Sequence, residues 1–85
     1  MEFSFAIKQV KKGKKITRKG WNGKSQFITL GTNFSYIDTS TNTIVNPKHE
    51  NIGNAALVFH GTSGEQVGWL ASQADMLADD WEILE

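Results

Sequence analysis

The longest helical repeat in this chain lies at its start. Phe3, Ala6, Ile7 and Val10 stand at i, i+3, i+4 and i+7, which lines four apolar side chains along one helical face. Ser4 offers a hydroxyl as N-cap, and Lys11 and Lys12 before Gly13 suit the carbonyl-rich end of a helix. The spacing predicts a helix over residues 4–12. Beyond it, apolar runs are short and are broken by glycine, asparagine and threonine, which is the chemistry of strands and turns. Strands are expected at 14–18, 26–30, 34–38, 43–45, 55–60 and 81–84, with a short strand or extended segment at 67–70. Trp21-Asn22-Gly23-Lys24 reads as a tight turn, because Asn and Gly tolerate positive φ. Ser72-Gln73-Ala74-Asp75 matches a capping box with Asp in the place of Glu. It predicts a short helix over 73–78 with Met76 and Leu77 turned inward. The expected class is α+β: an N-terminal helix packed on a mostly antiparallel sheet with a short C-terminal helix, in a single small domain over 1–85.

Length sharpens this. With 85 residues, the chain buries only about 60–65% of its unfolded surface, so association between copies is a natural supplement to its core. It has no cysteine, which excludes a disulfide scaffold, a thiolate metal site and a thiol nucleophile. His49 and His60 are too few for an all-histidine metal cage. No apolar run approaches the ~20 residues of a membrane helix, and lysines interrupt the early apolar stretch that a signal peptide needs. A soluble, intracellular protein is expected.

The formal net charge is zero, yet residues 1–24 carry eight of the nine basic residues and one acid, and residues 25–85 carry Lys48 and eight acids. Such asymmetry fits a basic arm for phosphate, or two halves that pack on each other or on another copy. Zero net charge argues against generic DNA coating, which relies on counterion release.

A catalyst is hard to assemble from these residues. No G-x-S-x-G elbow is present, and the acids at 75, 79, 80 and 82 fit no calcium-loop spacing. His60 reads as a structural histidine at the end of a strand and His49 as a solvated loop residue. Gly20 to Lys24 falls short of a P-loop. It does offer an indole to stack on a base, an amide for a base edge or ribose, and flanking cations Arg18, Lys19 and Lys24 for phosphate. A buried tryptophan beside a hairpin turn fits the same residues, and Trp69 and Trp81 taken singly read as core. Ser72, Gln73 and Asp75 surround a helix start, where amides attract anions; a simple N-terminal cap fits equally.

Two blocks carry a resemblance. Arg18-Lys19-Gly20-Trp21-Asn22-Gly23-Lys24, and the longer closing run from Trp69 through Ser72-Gln73-Ala74-Asp75-Met76-Leu77 to Asp80-Trp81-Glu82-Ile83, resemble the Thoeris anti-defence protein 2 family of bacteriophages. The likeness spans essentially the whole chain and is least clear over about 31–66. It implies a binding protein and not an enzyme. The implied role is a sponge that sequesters glycocyclic ADP-ribose, made by a TIR-domain enzyme, so that the Thoeris effector is never activated. Some members also hold cyclic di- or trinucleotides at a separate site. The resemblance further implies a homo-oligomer, a tetramer built from dimers, acting in the cytoplasm of the infected host. It implies no cofactor, no membrane and no nucleic-acid partner.

On this reading Trp21 stacks on the adenine, Asn22 and Gly23 shape the turn, and Phe27 forms part of the aromatic wall. Arg18 and Lys24 face the pyrophosphate, and Ser72 and Gln73 meet ribose or phosphate oxygens. Asp75 caps the helix or accepts from an adenine amino group or a ribose hydroxyl. Two other classes stay open on the residues alone: a small β-rich nucleic-acid-binding domain, and a protein–protein inhibitor of a host defence enzyme.

Overall fold

A computed structural model describes residues 1–21, 26–50 and 53–84. In chain order the elements are α1 (Phe3–Val10), β1 (Lys15–Arg18), β2 (Phe27–Gly31), β3 (Tyr36–Asp38), β4 (Thr43–Val45), β5 (Ala56–Gly61), β6 (Gly64–Val67), α2 (Gln73–Leu77) and β7 (Trp81–Leu84). Five strands form one antiparallel sheet in the order β6-β5-β2-β1-β7, and β3 and β4 form a separate hairpin. The α+β class expected from the sequence is the one observed.

Helix α1 covers one face of the sheet. Ala6 and Val10 are buried against Ile16, Ile28 and Trp81, with Phe3, Ile7, Leu30, Leu57 and Phe59 packed around them. Directly paired residues share a sheet face, so Ile16↔Ile28, Ile28↔Phe59 and Ile16↔Ile83 place these side chains together. The helix ends as Gly13 predicts. Gly13 N–H donates to the Val10 carbonyl and Lys14 N–H to that of Gln9, a Schellman pattern that requires the φ of +89° found at Gly13.

The start of α1 departs from expectation. The N-cap is Glu2, with no side-chain cap bond, and not Ser4. Packing decides this. Phe3 lies against Trp81 with ring centroids 5.3 Å apart, and the Met1 ammonium donates to the carbonyls of Asp79 (3.0 Å) and Trp81 (2.8 Å). Those contacts draw the first turn two residues earlier than the hydroxyl would.

Two other segments differ. The strand expected at 67–70 lies earlier, at Gly64–Val67, and residues 68–70 are outside it. β6 stops at Val67, and the N–H groups of Gly68 and Trp69 both donate to the Leu57 carbonyl at 2.9 and 3.0 Å. Gly68, at φ +88°, makes that turn possible and redirects Trp69. Met76 and Leu77 are not inward: they are 48% and 83% exposed. The five-residue α2 is held by polar bonds from Asp75, described below, and not by an apolar stripe. The strand expected from residue 34 begins at Tyr36, because Phe34 is fixed elsewhere: its N–H donates to Asn54 Oδ1 (3.0 Å), and Asn54 Nδ2 donates back to its carbonyl (2.9 Å).

Candidate ligand site

Arg18 closes β1 opposite Trp81 of β7, and the two halves of the candidate site meet there. The N–H of Trp21 donates to the Arg18 carbonyl at 3.1 Å, which makes residues 18–21 a tight turn. The turn carries the Trp21 indole onto the helix-bearing face, into a ring cluster. Its centroid lies 5.3 Å from Trp81, 5.4 Å from Phe59 and 6.2 Å from Trp69, with interplanar angles of 78°, 83° and 74°. Trp69 and Trp81 complete the set at 6.3 Å and 76°. Edge-to-face rings at these separations attract through their quadrupoles. Trp81 is 2% exposed, whereas Trp21 and Trp69 are half-buried.

Beside the rings lies a charge network. Arg18 Nη1 donates to Asp75 Oδ1 and Arg18 Nε to Asp80 Oδ1, each at 2.9 Å. The capping box is present as the sequence predicts: Asp75 N–H donates to Ser72 Oγ at 3.1 Å, and the Ser72 N–H donates to Asp75 Oδ2 at 3.2 Å. Ser72 Oγ also donates to Asp75 Oδ2 at 2.9 Å, and Trp81 Nε1 donates to the Asp75 carbonyl at 2.9 Å. Asp75 is therefore tied to its own helix, to β1 and to the ring cluster.

The pKa values follow this geometry. Burial pulls the Asp75 carboxyl up, but the bonds from Arg18 and Ser72 outweigh it and hold it below the ordinary value. The Arg18 bond lowers Asp80. Hydrogen bonds to Asp80, then to Asp75, raise Arg18. At neutral pH one guanidinium faces two carboxylates, so the cluster is net anionic.

The structure thus gathers Arg18, Trp21, Ser72 and Asp75 through one chain of contacts, with exposed Gln73 at the first residue of α2. Phe27 is elsewhere. It pairs with His60 on the opposite sheet face, stacked on its ring at 4.5 Å and 12°, with Lys15 Nζ 4.9 Å from its centroid. Phe27 is not in a common wall with Trp21. The reason is register: strand alternation sends Phe27 and Ile28 to opposite faces, and Ile28 is the one beneath α1. Asn22, Gly23 and Lys24 lie outside the described residues. The tie from Asp75 to α2 is a cap, one of the two roles its sequence allowed. The sequence reading missed Asp80 and Phe59. The charge asymmetry between the chain's halves was the available signal for Asp80.

His60 is a partly buried structural histidine, as expected, with Nε2 2.9 Å from Thr29 Oγ1. His49 is exposed, with Nδ1 2.8 Å from the Asn33 carbonyl. Among the described residues no three His, Asp or Glu side chains converge as a metal-ligand set, and no helix is long and apolar enough to cross a membrane.

These features define a small α+β protein in which a three-tryptophan cluster adjoins a capped helix start. A family model described as the Thoeris anti-defense 2-like domain matches residues 1–84. Thoeris anti-defense 2 of Bacillus phage SP01 is 31% identical over 86 residues, a span covering 99% of this chain and 94% of the phage protein. The chain belongs to the Thoeris anti-defense 2 family, and that membership supports a phage anti-Thoeris function.

Proposed function

We propose that the chain is a sponge. It binds a cyclic ADP-ribose isomer made by a TIR-domain enzyme, glycocyclic ADP-ribose on the sequence resemblance, and does no chemistry on it. The observation that carries this is family membership over essentially the whole chain, with both quoted blocks inside the match. The geometry supports it further. Trp21 is a half-buried indole at the rim of the ring cluster, and Ser72 and Gln73 stand at a helix start that Asp75 joins to that cluster. Stacking on one side and polar groups on the other suit a nucleoside with a phosphate bridge. Lys24 supplies a cation in the adjoining segment of the sequence.

The working form is proposed to be a homo-oligomer, a tetramer on the resemblance, in the cytoplasm of the infected host. The monomer's radius of gyration is 14.4 Å, against about 12 Å for a compact chain of this length. The β3–β4 hairpin exposes Tyr36, Ile37 and Ile44, and an open groove of about 350 Å³ between it and the sheet is lined by Phe34, Tyr36, Ala56 and Val67. A second copy would cover such surface.

The test is capture and release. The purified protein is mixed with the product of a TIR-domain cyclase, washed on a filter and heated. Intact cyclic nucleotide is expected from the denatured protein. Nucleotide that passes straight through the filter rejects the sponge, and a linear product identifies a hydrolase instead.

A further inference from the structure

Arg18 looks from the sequence like a phosphate ligand, but its guanidinium is turned elsewhere. Two of its nitrogens are engaged by two different carboxylates at 2.9 Å, with the side chain largely buried. An incoming phosphate would meet only the remaining N–H groups, and there it would face two carboxylates already paired with the same cation.

The same residue joins three segments. Its carbonyl accepts the Trp21 N–H and so sets the turn that presents the indole. Nη1 holds the carboxylate that caps α2, and so fixes Ser72 and Gln73. Nε holds Asp80, whose carbonyl also accepts the Lys19 N–H at 3.3 Å, just ahead of β7. A planar fork can bridge two carboxylates on different elements, whereas a single ammonium cannot reproduce both directions.

We propose that Arg18 is the positioning residue of the ligand site and not a ligand to phosphate. It holds the α2 start at a fixed place beside the Trp21 rim. This rests on the sponge reading above.

Two substitutions separate the roles. Arg18→Lys keeps the charge and loses the fork. Asp80→Asn leaves the guanidinium less encumbered. A phosphate ligand would tolerate the first and gain affinity from the second. A positioning residue loses by both. Capture of the TIR-cyclase product is expected to weaken roughly tenfold or more in each variant, with far-UV circular dichroism unchanged. The Trp81 indole N–H resonance in a ¹H–¹⁵N spectrum is expected to shift in both without any ligand, because its acceptor is the Asp75 carbonyl. Capture retained in Arg18→Lys, or unchanged or tightened in Asp80→Asn, overturns the proposal. If the unmodified protein captures nothing, the sponge reading fails and the indole signal alone decides: an unmoved resonance in both variants overturns positioning, and a shift in both supports it.

Discussion

The Trp81 indole N–H donates to the main-chain carbonyl of Asp75 at 2.9 Å, while the carboxylate of that aspartate accepts from Arg18 and Ser72. One residue therefore links the most buried ring of the aromatic cluster to the capped start of α2. The helix is only five residues long and buries none of its side chains, so this link, and not apolar packing, sets its place.

Trp81→Phe is expected to keep most of the core while removing the bond to α2. It should lower stability by about 1–3 kcal/mol, combining a lost indole bond with partial loss of ring volume. Trp81→Ala should lower it by about 3–5 kcal/mol, because a fully buried ring leaves a cavity among Ala6, Val10, Ile16 and Ile28. Urea unfolding of the three proteins measures both differences.

Acid should loosen the same link. Asp75 and Asp80 are held below the ordinary carboxylate value, so folding favours their ionised forms. Their contribution is whole above the unfolded value of about 4 and is lost as pH falls below it towards the folded values. Asp38 adds in the same direction, lowered by its bond from the Ser40 hydroxyl. Melting temperature is therefore expected to drop on acidification below about pH 4, and less steeply in Arg18→Met, where no guanidinium depresses the two carboxyls. Equal acid slopes in the two proteins would mean that the Arg18 network does not set the acid response.

On the other face, Gly31 is filled by the Phe34 ring, which a Cβ at Gly31 would meet, with Val58 Cγ2 at 3.2 Å from the same point. Phe34 cannot slide freely, because Asn54 holds its main chain from both sides and Asn46 Nδ2 donates to its carbonyl at 3.1 Å. Gly31→Ala is expected to destabilise the protein by about 1–3 kcal/mol through overpacking. Asn54→Asp keeps the acceptor for the Phe34 N–H but sets an anion against the Phe34 carbonyl, and should cost about 1–3 kcal/mol. Thermal melts test both. A neutral Gly31→Ala would mean that the ring turns aside without resistance.

Helix α1 was legible because its four apolar residues share one face, and the Schellman end because Gly13 can take a positive φ. The capping box was legible because its partners are local. Longer-range geometry was not. Ser4 is a better local cap than Glu2, but the Phe3–Trp81 contact and the Met1 ammonium bonds span nearly the whole chain. Phe27 fits an aromatic wall by type. The Phe27↔His60 register, which no local pattern states, puts it on the far face. Met76 and Leu77 have core chemistry, yet the bonds that orient α2 come from polar groups and leave both outside. The site is half legible in the same way. Its residue types were readable, but that Arg18 meets Asp75 and Asp80 depends on β1 pairing with β7.

In the proposed sponge a cyclic nucleotide sits on Trp21. The direct measurement is an equilibrium titration of the purified TIR-cyclase product into the unmodified protein and into Trp21→Leu, which keeps an apolar side chain in the cluster but removes the stacking ring. A ligand stacked on Trp21 predicts a nanomolar Kd for the unmodified protein, about −12 kcal/mol. It predicts binding at least a hundredfold weaker in Trp21→Leu, about 2.7 kcal/mol, with both proteins folded by far-UV circular dichroism. Equal affinities in the two would contradict it and place the ligand away from the tryptophan rim.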